Sequence, residues 1–140
     1  MIAYFDTSAI VPLLVQEPGT ETAGELWDRA ERLVSIRLAW VEARAALARA
    51  ARIGRISPRQ LRTSKSGLDE LLNQVDLVDV DDGLVRRAGD LAEVHALRAY
   101  DAIHLAAADR IRAGDAVVVA GDRALLDAAA AMQMAIAAIT

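Results

Sequence analysis

Short apolar runs alternate with longer helical stretches along this chain, and few folds accommodate that alternation. "IAYF" (2–5), "RLVSI" (32–36), "VDLVDV" (75–80), "AVVVA" (116–120) and "MAIAAI" (134–139) have the length and apolar character of buried strands. Between them lie segments that read as helices. "SAIVPLLVQEPG" is begun by Ser8 and stopped by Pro18-Gly19, and "TETAGELWDRAE" is capped by Thr20. "LAWVEARAALARAARIG" is alanine-rich and closed by Gly54, and "SPRQLRTSKSGLDELLNQ" opens with Ser57 and Pro58 at cap and first-turn positions. "DDGLVRRAGDLAEVHAL", "YDAIHLAAADRIRAG" and "DRALLDAAAAM" complete the set. Strands separated by helices imply right-handed crossovers and a mostly parallel sheet covered on both faces, an α/β three-layer sandwich.

At 140 residues the chain suits one domain spanning 1–140, without linker, repeat or low-complexity tail. With no cysteine there is no disulfide, thiolate zinc site or cysteine nucleophile. The start has neither a basic lead nor a long apolar run, and no uncharged apolar stretch is long enough to span a bilayer, so a cytoplasmic protein without membrane association is expected. A net charge of −4 argues against a uniformly basic nucleic-acid binder and leaves local patches open.

Function enters with the acids. Asp6 follows the first strand and Asp122 the fourth, and parallel sheets bind ligands beyond the carboxyl ends of their strands. Glu42 and Asp101 lie near the starts of two mostly apolar helices, where their neighbours offer a carboxylate almost nothing to bond with. Taken singly, Asp6 and Asp122 read as helix caps, and Glu42 and Asp101 as first-turn acids suited to a helix dipole. Taken together they point elsewhere. Four carboxylates converging to about 5 Å would repel by roughly 3 kcal/mol per pair at an effective dielectric of 20, a conflict that a divalent cation resolves.

"FDTSAIVPLLVQEPG", the lone acid in "LAWVEARAAL", "LRAYDAIHLAAA" and "VVVAGDRALLDAA" resemble the four acidic motifs of PIN-domain nucleases, most closely those of the VapC toxins of bacterial toxin–antitoxin pairs. The resemblance covers residues 2 to 131, with the motifs in order. It implies a PIN-like fold and a metal-dependent endoribonuclease in which Asp6, Glu42, Asp101 and Asp122 hold Mg²⁺ or Mn²⁺, with Thr7 or Ser8 as the hydroxyl beside the first acid. Many relatives carry Thr or Ser just before the fourth acid, where this chain has Ala120-Gly121. The resemblance also implies an RNA substrate of the tRNA or rRNA class and a cognate VapB-like antitoxin. An antitoxin helix would suit a groove between Ile10–Val15 and the helix after Trp40, with a basic residue reaching the acids. Leu13 and Leu14, read as exposed, suit a homodimer contact.

Oxygen-only ligands favour Mg²⁺ or Mn²⁺ over zinc. His104, three residues after Asp101, reads as a packed core histidine before a proton shuttle, and His95 as a helix-end residue. Half of the basic side chains fall between Arg37 and Lys65, with Glu42 the single acid among them. Each arginine alone reads as part of a solvated face; as a cluster they suggest an RNA-guiding strip, with Arg49 and Arg52 foremost, since Arg49 shares the helical face of Glu42 roughly 10 Å along the axis. Aromatics are few, which favours backbone recognition over base stacking. Among rival readings, a dehalogenase-type phosphatase would need an acid at Ser8, and a receiver domain would need a late lysine where only Lys65 exists. The remaining alternative is a PIN-like domain that binds RNA or protein without cutting.

Overall fold

The computed structural model describes residues 1–112 and 114–140. Its strands are β1 (Ile2–Phe5), β2 (Arg32–Ile36), β3 (Asp76–Val78), β4 (Ala116–Ala120) and β5 (Ala135–Ala138), all parallel, in the order β3-β2-β1-β4-β5. Order reverses at β1, which pairs with β2 on one side and β4 on the other, so the switch point lies where Asp6 and Asp122 leave the sheet. The helices are α1 (Thr7–Ile10), α2 (Thr20–Arg29), α3 (Ala39–Arg52), α4 (Pro58–Leu72), α5 (Asp82–His95), α6 (Ala99–Arg110) and α7 (Arg123–Ala131). Ala113, in the predicted last turn of the helix over 100–114, lies outside the described residues.

Strand alternation divides the core. Ala3 and Phe5 face one layer, where Ala9, Ile10, Ala23, Ala43 and Leu68 pack from α1 to α4. Tyr4 faces the other, among Leu84, Leu91, Leu105, Leu125 and Leu126 from α5 to α7. Six residues of α6, four of them alanine, are buried, so this helix packs all round. Among the described residues no helix is long and apolar enough to cross a membrane.

The predicted helix over 8–18 is cut short. It begins one residue earlier, capped by Asp6, and passes at Val11–Leu13 into a single 3₁₀ turn. The Thr20 hydroxyl donates to the Pro12 carbonyl at 2.7 Å and the Glu17 N–H donates to the same hydroxyl, so the loop closes on itself where a helix would continue. Thr20 is accordingly the first residue of α2, with Gly19 at the cap position. Leu13 and Leu14, expected at the surface, are half-buried against the core. Ser57 and Pro58 open α4 as expected, in a full capping box with Gln60, and Gly54, at φ 78°, follows the end of α3.

Candidate functional site

Asp6 is both cap and site, because it has two oxygens to divide between the roles. Oδ2 accepts from the Ser8 N–H at 3.2 Å and from the Ser8 hydroxyl, which caps α1. Oδ1 lies 3.2 Å from His104 Nε2. Asp122 divides its oxygens the same way: Oδ1 accepts from the Leu125 N–H at 3.1 Å and caps α7, while Oδ2 lies 3.8 Å from the Arg98 guanidinium. Each acid therefore starts a helix with one oxygen and offers the other to a neighbouring basic side chain. Glu42 and Asp101 occupy the first turns of α3 and α6, as expected.

Two shared basic side chains organise the quartet. His104, 2% exposed, places Nε2 2.7 Å from Glu42 Oε1 and 3.2 Å from Asp6 Oδ1. Its Nδ1 lies 2.8 Å from the hydroxyl of Tyr4, which is also buried. Thr7 donates to the same Glu42 Oε1 at 3.0 Å. At the other pair, Arg98 Nε donates to Asp101 Oδ2 at 3.3 Å and its Nη2 approaches Asp122. Among the described residues no three of these groups enclose an ion as they stand; the acids are held as two pairs around two basic side chains.

The electrostatics follow from that geometry. Burial alone would push His104 down, but the Glu42 bond and the charges of Asp6, Glu42 and Asp101 together push it up. Burial and the charge of Asp122 push Asp101 up, and Arg98 offsets this only in part. Burial, reinforced by Asp6 and Glu42, pushes Tyr4 well up, so it remains a neutral phenol. Asp101 senses both Asp122 and Asp6, which ties the two pairs into one acidic cluster.

Ser8 has a second task. Its Oγ accepts from the Gly121 N–H at 2.8 Å while donating to Asp6, so one hydroxyl joins the turns after β1 and β4. Gly121 thus contributes through its backbone N–H. Two residues escaped the sequence reading in their proper roles. His104 is a packed core histidine and also touches Asp6 and Glu42, which its place three residues after Asp101 did not signal. Arg98 likewise gave no signal beyond lying three residues before Asp101.

Beside the acids, a hollow of about 380 Å³ is bordered by Thr7, Ser8, Val11, Glu17, Ala46 and Gly121. A smaller one of about 160 Å³ shares Val11, Glu17 and Ala46 and is bordered by Arg49, Ile53 and Arg55. Arg49 thus lies on the groove between the first turns and α3, whereas Arg52 is exposed on the last turn of α3. Arg37 and Arg55 pair with Asp79 and Glu17, and Arg44 lies over the Trp40 ring. Arg49, Arg52, Arg59, Arg62 and Lys65 make no ion pair among the described residues.

A sequence model of the PIN domain matches residues 3–131. Ribonuclease VapC45 and Ribonuclease VapC49 of Mycobacterium tuberculosis are each 39% identical to the chain over 124 residues, 89% of this chain and 86% of theirs. Among solved structures, FitAcB from Neisseria gonorrhoeae superposes with a TM-score of 0.72 at 18% identity, covering 99% of this chain and 98% of that one. PAE2754 from Pyrobaculum aerophilum gives 0.71 at 23% identity over 97% and 83%. VapBC2 from Rickettsia felis, bound to a DNA fragment from its promoter, gives 0.65 at 14% identity over 99% and 98%. At these identities the structures speak to the fold, a PIN-like α/β sandwich.

Proposed function

The chain belongs to the PIN-domain family, and from that premise we propose that it is a VapC-type endoribonuclease toxin of a type II toxin–antitoxin system, a single domain over 1–140. Asp6, Glu42, Asp101 and Asp122 would hold a divalent cation. The observation that carries the reading is the meeting of four acids at the carboxyl end of the sheet. Capping accounts for one oxygen each of Asp6 and Asp122 and for neither Glu42 nor Asp101.

The donor set fits Mg²⁺ or Mn²⁺: all carboxylate oxygen, with Asp101 pushed up by burial and then by the charges of Asp122 and Asp6, which a cation would offset. When bound, such an ion supplies Lewis acidity, lowering the pKa of a water and neutralising phosphoryl oxygens. The protein supplies position. Ser8 and His104 fix both oxygens of Asp6, and Thr7 and His104 fix one oxygen of Glu42. The groove bordered by Ala46 and Arg49 gives an RNA backbone a path away from the acids, with Arg49 supplying charge on it and Arg52 at the exposed end of α3 beyond it, neither in an ion pair among the described residues. A structured RNA of the tRNA or rRNA class suits recognition by backbone and shape. The same groove suits an apolar helix of a VapB-like antitoxin with a basic residue directed at the acids, a partner consistent with the toxin–antitoxin relatives. A homodimer and a cytoplasmic location belong to the same reading.

The test is cleavage of a defined tRNA or rRNA fragment by the purified chain with Mg²⁺ or Mn²⁺, with EDTA and Asp6→Asn as controls. Metal-dependent strand scission lost in both controls is expected. Cleavage that persists in EDTA or in Asp6→Asn would remove the acids from the chemistry, and RNA binding without scission would favour the non-catalytic alternative.

A further inference from the structure

Arg98 breaks a local rule. It occupies the N-cap position of α6, where Ser, Thr, Asp or Asn would satisfy the first N–H groups and where the helix dipole disfavours a cation. No side-chain cap replaces what is lost. Its side chain is 85% exposed, and the contacts it makes, 3.3 Å to Asp101 and 3.8 Å to Asp122, are of the exposed kind that contribute little to folding. A residue that weakens a helix start in exchange for two exposed contacts is a candidate for function. It also stands at the mouth of the acidic cluster: Asp101 is 13% and Asp122 24% exposed, and Arg98 joins them from the solvent side.

The two basic side chains of the site differ in kind. His104 is enclosed and held at both ring nitrogens, so it cannot leave. Arg98 is held only at its tip. A guanidinium cannot give up its proton at working pH, so it acts in no proton transfer; its planar fork matches the oxygens of a phosphate as well as those of a carboxylate. We infer that Arg98 is a substrate-contacting residue: parked on Asp101 and Asp122 in the metal-free protein, it donates to a non-bridging phosphate oxygen of RNA when those carboxylates are engaged by a divalent cation. The inference rests on the ribonuclease reading above. In hydrolysis the water oxygen bonds to phosphorus as the bond to the leaving ribose oxygen breaks, and the proton passes from water to the leaving group's side. Arg98 moves no atom; it steadies the negative charge on the equatorial oxygens.

Two measurements on full-length wild type, Arg98→Ala and Arg98→Lys test this. The first is Mn²⁺ affinity by calorimetry without RNA. If Arg98 competes for the carboxylates, Arg98→Ala binds Mn²⁺ about two- to tenfold more tightly, and Arg98→Lys stays near wild type. The second is kcat and KM on an RNA that wild type cuts, at saturating Mn²⁺. Arg98→Ala loses at least about tenfold in kcat, and lysine, lacking the fork, restores it only in part. The combination of tighter metal and slower cleavage is what a merely structural arginine would not give. Unchanged or weaker Mn²⁺ binding in Arg98→Ala overturns the parking, and undiminished kcat overturns the phosphate contact. A wild type that binds Mn²⁺ and cuts no RNA overturns the ribonuclease reading and the phosphate contact with it, while the calorimetry still decides the parking.

Discussion

Replacing Tyr4 by phenylalanine deletes one oxygen from a site that the oxygen never enters, and the consequences can be worked out from the geometry. Tyr4 and His104 are both buried, with the hydroxyl 2.8 Å from Nδ1. Because Nε2 faces Glu42 and Asp6, that nitrogen carries a proton in either ionisation state. In the neutral ring Nδ1 accepts from the phenol; in the imidazolium Nδ1–H donates to the phenol oxygen. Tyr4 is therefore the partner in both states, and Tyr4→Phe leaves a buried ring nitrogen unpaired. Such a group costs about 1–3 kcal/mol. Against the 5–15 kcal/mol typical of a domain, that is a substantial fraction, and at this length it lowers Tm by roughly 2–10 °C.

The pH dependence has a definite sign. His104 is pushed up in the folded protein, so its contribution is fully present below the ordinary histidine value of 6.5 and is lost as pH rises through the folded pKa. The unpaired N–H of the variant penalises the imidazolium more than the neutral ring, so the variant loses most at the acid side of that window, and its stability falls less steeply with pH. Urea unfolding in EDTA, from pH 6 upward, measures both effects, and His104→Leu combined with Tyr4→Phe should give a loss smaller than the sum of the two. A Tyr4→Phe protein within about 0.5 kcal/mol of wild type with the same pH profile would refute the reasoning.

Three further outcomes rest on other parts of the molecule. Asp101→Asn should raise Tm in EDTA, because burial and Asp122 already push that carboxyl up, and should reduce cleavage on the order of 10²-fold or more; a lower metal-free Tm would contradict the repulsion argument. Arg49→Ala and Arg52→Ala should each flatten the salt dependence of RNA binding by roughly 0.7 in log–log slope for every single-strand phosphate that goes unneutralised, with Mn²⁺ affinity unchanged; identical slopes would return both to the solvated face. Asp81, which caps α5 and accepts from Arg110 at 2.7 and 2.8 Å, has its pKa lowered to about 2, so its contribution is present above the ordinary 3.8 and is lost as pH falls through about 2. Carboxyl NMR titration of Arg110→Ala should find Asp81 moved back toward the ordinary range.

The sequence made the layers and the acids legible because both are local signals. Apolar runs such as "IAYF" and "AVVVA" carry their strand character in four or five residues, and an acid directly after such a run must emerge at the carboxyl end of a parallel sheet. The helix over 8–18 misread because its terminator is not local. Thr20 captures the carbonyl of Pro12 across eight residues, and the apolar residues preceding the loop pack inward instead of continuing an exposed helix face. His104 was legible as buried but not as bonded, since Glu42 and Tyr4 lie 62 and 100 positions away and reach it only through the packing of α3, β1 and α6. Arg98 was illegible for a related reason: nothing in "LRAYDA" distinguishes a solvated arginine from one laid across Asp101 and Asp122.

Charge balance then bears on how many ions the site takes. Four carboxylates meet here, and two of them, Asp6 and Glu42, are already engaged by the enclosed His104. The other two, Asp101 and Asp122, present two formal negative charges once Arg98 has moved aside, which one divalent cation neutralises. A second ion would have to displace His104, which is enclosed and bonded at both ring nitrogens, or bring in the phosphate of the substrate as its own counter-charge. We therefore expect calorimetric titration of the RNA-free protein with Mn²⁺ to saturate at one ion per chain, with a second site visible only in the presence of a phosphodiester. Two equivalent sites in the absence of RNA would mean that His104 yields Asp6 and Glu42 to metal, and that its contact orders these acids without excluding an ion.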